Sequence, residues 1–365
     1  MNRREFIRNA ALAGGAAALA PGAAARALGG IHSGPQDDTL VVNGLDPSNL
    51  SEEYVAMNRA AGVNCWHKTM GGLWTFSDAY NFVDEHPHLV RVVKTVKEIR
   101  QAKEEGKLGL LFGWQAAGVL SGPRNGENDW WSKVPRTNLR SFYELGLRIC
   151  GIAYQIVNAF GGGGIEGQVG LTRAGRRLVE EIHKLRIILD VGGHTGDQTS
   201  FDALAMSSGV PVICSHSNTR ALANSTRNLS DRLIEAIART GGVIGVVAIS
   251  DFVMRGKEMA EVEPSPLGTV DDMVRHADHI KKLVGAEHVG LGPDFTHGQS
   301  LNRDYELFGP DVMDKGPRRY VKGFENITEL PNVVAALERH GWTPAETRGF
   351  LGGNWIRVYE KVWGA

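Results

Sequence analysis

Short apolar runs rich in β-branched residues alternate along this chain with stretches whose apolar positions recur at helical spacing. The runs predict strands at 39–43, 63–67, 107–114, 149–154, 187–191, 210–215, 243–249 and 288–291. The spaced stretches predict helices at 51–61, 90–105, 172–184, 231–240 and 270–283. Thr172 and Ser230-Asp231 stand at two of the helix starts, where a side-chain oxygen can accept an orphan backbone N–H. Eight strands alternating with helices point to parallel βαβ units. In a chain of this length they favour an α/β, single-domain, closed (β/α)8 barrel of the TIM type. A doubly wound open sheet is the alternative. Segments 261–266 and 298–323 read as excursions over the barrel mouth, and the tail 343–363 is expected to be helical and to pack on the outside. The glycine run 161–164 lacks the strand, Gly-x-Gly-x-x-Gly and helix order of a dinucleotide site and reads as a loop.

The N-terminus carries a different pattern. Arg3-Arg4 precede Phe6, an Ala/Gly/Leu run covers 10–20, and Ala25-Arg26-Ala27 gives a small-x-small cleavage site. The apolar run is shorter than the roughly 20 residues that a membrane span needs. Paired arginines before a bulky apolar residue fit a twin-arginine export signal, a route that carries folded proteins. Residues 1–27 are therefore expected to be that signal, read by the twin-arginine machinery. Residues 28–365 are then the exported domain, in the periplasm. A hydrophobic content of 42% and a formal net charge of -1 fit a globular protein and offer no basic surplus for nucleic acid. The three cysteines, Cys65, Cys150 and Cys214, lie in or beside apolar runs and read as buried small hydrophobes.

In such barrels, chemistry stands at the C-terminal ends of the strands. The fifth strand runs into Asp190-Val191-Gly192-Gly193-His194, the sixth into Cys214-Ser215-His216, and the eighth into Gly292-Pro293-Asp294. His194, His216 and Asp294 would converge on one mouth as a ligand set suited to zinc. A satisfied structural role is the alternative for any one of these histidines.

Several runs also carry a resemblance: Gly170-Leu171-Thr172 with Gly175-Arg176 and Leu178-Val179; His194-Thr195-Gly196; and Ser215-His216-Ser217-Asn218. Further on come Arg227-Asn228-Leu229-Ser230-Asp231, Leu291-Gly292 with Asp294-Phe295, and Gly352-Gly353-Asn354 with Arg357-Val358. In this order, over about 143–359, the chain resembles the membrane (renal) dipeptidase family, zinc metallopeptidases of the amidohydrolase-like barrel type. The resemblance implies hydrolysis of dipeptides or related amides by a zinc-activated water, and a homodimer. It assigns His194 and His216 to one zinc and Asp294 to metal binding and proton transfer. Arg227 falls on the arginine that pairs with the substrate carboxylate, Tyr154 lies near the scissile carbonyl, and Asn158 and Glu166 lie in the following loop.

Two departures weaken that assignment. Where the family reads Asp-Gly-His-x-Asp, this chain reads Asn43-Gly44-Leu45-Asp46-Pro47, and where the family bridges two metals with glutamate it offers Gln115. One Zn²⁺ is therefore expected on His194 and His216, with Asp294 or Gln115 completing the shell. His67 is a replacement ligand or a hydrogen-bonded strand-end histidine. His276, His279 and His288 read as packing or surface residues. Trp114, Trp130 and Trp131 read as pocket walls or as packing. The alternative function is a non-hydrolytic binding or maturation accessory in the periplasm that kept the barrel.

Overall fold

The computed structural model describes residues 39–121, 139–254, 267–299 and 319–364, all within one compact unit, Asp38–Ala365. The export signal, Trp130, Trp131 and most of the two predicted excursions lie outside the described residues.

The chain opens with β1 (Val42–Asp46), α1 (Glu52–Ala60), β2 (Cys65–Thr69) and α2 (Leu73–Glu85). It continues through β3 (Val90–Val92), α3 (Val96–Glu104), β4 (Leu108–Trp114) and β5 (Leu147–Gly151). Next come α4 (Arg173–Lys184), β6 (Ile188–Asp190), α5 (Asp197–Ala205), β7 (Val212–Ile213), α6 (Asp231–Arg239) and β8 (Ile244–Val246). The last third holds α7 (Ser250–Met254), α8 (Val270–Val284), β9 (Val289–Leu291), α9 (Leu330–Arg339), α10 (Pro344–Arg348) and α11 (Asn354–Trp363).

Parallel pairing runs β1-β2-β4-β5-β6-β7, and β8 pairs with β9. A parallel bridge between Cys214 and Ile244 carries the sheet from β7 to β8. The Asp294 N–H, just past β9, donates to the Leu45 carbonyl of β1 at 3.1 Å and brings the ends of the sheet together. Eight strands thus form the expected (β/α)8 ring. The ninth, β3, is a short extra strand on the lower part of β4. It occupies the start of the stretch that the spacing predicts as helix from 90. The helix begins instead at Val96, after Thr95, whose side chain accepts from the Glu98 N–H while the Glu98 side chain accepts from the Thr95 N–H.

Along β2, Cys65 and His67 face the interior, whereas Trp66 turns outward to meet Tyr54 of α1. Val42, Cys65, Leu111, Ile149, Ile188 and Ile213 line the lower barrel, and Trp355 and Tyr359 of α11 join the same buried cluster. The tail is helical, as expected, but it does not merely pack on the outside. A Cβ at Gly44 or Gly290 would come within 2.6 Å of the Trp355 indole, so these two strand glycines make room for the ring. The C-terminal helix is the floor of the barrel. An indole and a phenol together offer several hundred Å² of burial, which explains why this floor is aromatic.

Candidate active site at the barrel mouth

The expected site residues all follow the C-terminal ends of strands, and the contacts among them join His194, His216, Tyr154 and Arg227. His194 and His216 are neighbours there, both buried, with ring centroids 4.9 Å apart and planes at 54°. Tyr154, three residues past the end of β5, stacks on His194 at 3.8 Å and 21°. The His194 carbonyl is gripped from two sides, by the Gln155 N–H at 3.0 Å and the Gly164 N–H at 2.8 Å. Gln155 reaches this position with φ 61°, and Asp294 with the same φ. Of the three non-glycine residues in this costly region among the described residues, two therefore border the site, and such strain persists only where surrounding contacts enforce it.

Arg227 is 1% exposed, its guanidinium 5.0 Å from the centroid of the Phe252 ring. It occupies the space above Gly193, where a Cβ would fall 1.6 Å from Nη1. This is a deeply buried cation. A counter-charge that the sequence reading passed over sits nearby. Asp190, 2% exposed, accepts from the Gly192 N–H at 2.8 Å and the Ser215 N–H at 2.9 Å. Burial raises its pKa above the ordinary carboxylate value, opposed by the Ser215 and Gly192 hydrogen bonds and by the Arg227 charge. Its signal in the sequence was a carboxylate ending a strand that is otherwise apolar on both faces.

The other expected residues are placed as follows. Asp294 is buried on the same rim, and its carbonyl accepts from the Tyr320 hydroxyl at 3.4 Å. Gln115 donates through Nε2 to Thr69 Oγ1 at 3.0 Å, while its buried Oε1 has no hydrogen-bond partner among the described residues. Asn158 holds its own loop: Nδ2 donates to the Ile152 carbonyl at 2.8 Å, and Oδ1 accepts from the Phe160 and Gly161 N–H groups. Glu166 accepts from the Val157 N–H in the same loop. Trp114 is packing, edge-on to Phe76 and Phe142, with its indole N–H donated to the Gly71 carbonyl.

His67 lies inside the barrel. Its Nδ1 donates to the Gly44 carbonyl at 2.7 Å, and Nε2 points at Gly113, where no side chain competes for the space. Burial lowers its pKa to about 4, so it is a neutral imidazole. His276, His279 and His288 are structural, bonded to Val253, Asp231 and Gly242 respectively. Asp46 accepts from Asn43 Nδ2 at 2.8 Å, from the Ser48 N–H at 2.9 Å and from the Tyr54 hydroxyl. A register shift in β1 between Asn43 and Asp46 turns this carboxylate toward α1.

Among the described residues no group of three His, Cys, Asp or Glu stands at metal-ligating spacing. Of the donors expected for one cation, the two imidazoles are adjacent, and Gln115 Oε1 has no hydrogen-bond partner among the described residues. These donors do not fit two. Leucine stands at 45, a neutral amide at 115, and Asp46 is already held by three donors. Beside the rim opens a cavity of about 550 Å³, bordered by Gly164, Ile165, Asp197, Arg220 and Thr226, within the size range of small-molecule sites.

Comparison with known proteins agrees with the geometry. An amidohydrolase from Pseudomonas aeruginosa shares the fold with a TM-score of 0.78, at 26% identity over 95% of this chain and 100% of that one. An uncharacterized protein in the pqqA 5' region of Klebsiella pneumoniae is 28% identical over 283 residues, 75% of this chain and 89% of that protein. An uncharacterized dipeptidase of Schizosaccharomyces pombe is 31% identical over 232 residues, 61% of this chain, and the match spans 49% of that protein's length. The family model described as membrane dipeptidase, peptidase family M19, matches residues 67–306 and 308–364. With that match over most of its length, the chain belongs to the membrane dipeptidase (M19) family of metallopeptidases.

Proposed function

We propose that this protein hydrolyses dipeptides or closely related amides with one zinc ion held by His194 and His216. The observation that carries this reading is the pair of buried imidazoles 4.9 Å apart at the strand ends, with Arg227 lodged against Gly193 beside them. Either Gln115 Oε1 or Asp294 completes the ligand set. When bound, zinc supplies Lewis acidity toward a carbonyl and toward water. The protein's own residues do the rest. The Arg227 guanidinium presents donors in a fork that matches a substrate carboxylate, and its burial strengthens that pairing. Tyr154, held flat against His194, orients the scissile carbonyl. Asp294 accepts the proton released as water attacks. No relative described above favours the accessory reading.

The test is direct. The purified protein, with added Zn²⁺, is assayed on a panel of L,L- and L,D-dipeptides. Turnover above that of His216→Ala is expected, and equal rates in the two proteins would remove the hydrolase assignment. We further propose that residues 1–27 direct export to the periplasm and that the mature protein is a homodimer. Retention in the cytoplasm after replacement of Arg3 and Arg4 by lysine would support the first, and sedimentation velocity reads the second.

A further inference from the structure

Two arginines leave the loop that follows β7 and reach the same short segment after β6. Backbone bonds close the loop at its neck: the Arg220 N–H donates to the Leu229 carbonyl at 2.8 Å, and the Leu229 N–H to the Asn218 carbonyl at 2.9 Å. From inside the loop Arg227 lies against Gly193. From the neck Arg220 reaches Asp197, the first residue of α5, with Nη1 donating to Oδ2 at 2.8 Å and Nη2 to Oδ1 at 3.1 Å. The Nε N–H of Arg220 turns back into the loop and is shared between the Asn228 carbonyl at 3.0 Å and the Ser225 carbonyl at 3.3 Å. Those two carbonyls flank Arg227 along the chain.

We infer that Arg220 is a positioning residue, which pins the Arg227 loop to α5 through Asp197 and so fixes where the Arg227 guanidinium stands relative to His194. The fork of a guanidinium meets a carboxylate with two parallel bonds, a geometry that lysine does not reproduce. Asp197 also stands in the first turn of α5, where negative charge is favoured. The two side chains are 30% and 35% exposed, and a pair so open to water adds little to global stability. Its consequence is local, the register between two loops. Arg227 has other ties: its carbonyl accepts from the Ser217 hydroxyl at 2.6 Å and its N–H donates to Ser225 Oγ at 3.2 Å. These hold it to its own loop and to the end of β7, whereas the Arg220–Asp197 pair holds it to the segment that carries His194.

The inference rests on the proposed function for what Arg227 binds, and two measurements separate the pin from that use. The first is kinetic. In the zinc-loaded protein, Arg220→Ala is expected to lower kcat/KM for an L,L-dipeptide about tenfold, mostly through KM, and to leave the C-terminal amide of the same dipeptide within about twofold of wild type. Asp197→Asn is expected to reproduce this and to add nothing in combination, Arg220→Lys to recover only part, and Arg220→Ala to have no further effect in an Arg227→Ala background. An equal fall on the dipeptide and its amide, or a further fall in Arg227→Ala, would overturn the positioning role. The second needs no substrate. Backbone amides of residues 217–230 are expected to exchange with deuterium about tenfold faster in Arg220→Ala, with β4 unchanged. Equal exchange at 217–230 would overturn the pin. A wild type that cleaves no dipeptide would remove the hydrolase reading, and the exchange rates would still decide whether Arg220 holds the loop.

Discussion

Gly193 has room for a hydrogen atom and nothing larger. Its φ is 39°, and an added methyl would overlap the Arg227 guanidinium. Gly193→Ala is therefore expected to displace the arginine while leaving the two imidazoles in place. Loss of a charge-assisted pairing of this kind is worth about 1.5–3 kcal/mol, so KM for a dipeptide should rise roughly tenfold or more with kcat changed far less. Steady-state kinetics decides it, and an unchanged KM would remove Arg227 from substrate binding. A second residue-scale expectation concerns pH. His276 accepts at Nδ1 from the Thr219 N–H and bonds the Val253 carbonyl through Nε2, and burial lowers its pKa from 6.5 to about 4. His67 is shifted in the same way. The unfolded chain takes up these protons near pH 6.5 and the folded one only near pH 4. Stability is thus full above pH 6.5, falls between 6.5 and 4, and levels off below. At about 1.36 kcal/mol per pH unit, each histidine accounts for roughly 3 kcal/mol of that fall. Urea midpoints across this range should show a shallower slope in His276→Gln than in wild type. At this scale the sequence was partly legible. His194 and His216 stood out as polar residues just past apolar runs and Arg227 only through the family resemblance, whereas the bonding of Asp46 and Asp190 depends on contacts that the linear sequence does not display.

Elements were readable where local chemistry marks them and were lost where only pairing does. Helices α1, α4 and α8 begin within a residue or two of their expected starts, where the side chains of Ser51, Thr172 and Thr269 accept a backbone N–H; α6 also starts as expected, although Ser230 at its cap makes no such side-chain bond. The helix α2 has Gly72 at its start with no side-chain cap and exposes Leu73 and Trp74, so neither caps nor periodicity announce it. The three residues of β3 are strand only because β4 lies beside them, yet the Thr95-x-x-Glu98 capping box already marked where the helix begins. The tail was readable as helix, but its place under the barrel was not. That placement depends on two glycines more than 60 residues from Trp355. Trp355→Ala would empty the pocket between Gly44 and Gly290 and is expected to destabilise the fold by about 3–5 kcal/mol. Denaturant unfolding measures this, and a loss under about 1 kcal/mol would mean that α11 does not support the barrel.

For the molecule as a whole, the question is how much positive charge the barrel mouth can hold. It already contains one buried guanidinium, matched by Asp190. Two zinc ions about 3.5 Å apart would repel by roughly 20 kcal/mol at an effective dielectric of 20, and only anionic ligands offset such a cost. The residue after β4 is the neutral Gln115, and Asp46 is held by Tyr54, Asn43 and Ser48. Protein loaded with excess zinc and desalted is therefore expected to retain about one zinc per chain by elemental analysis, and none in His194→Ala or His216→Ala. Two retained ions in wild type would overturn the one-metal site. Gln115→Glu supplies the sharper comparison. It restores one negative charge but neither the imidazole lost at Leu45 nor the freedom of Asp46. The bound ion should tighten while the count remains at one, because the second position would still lack the donors to hold it.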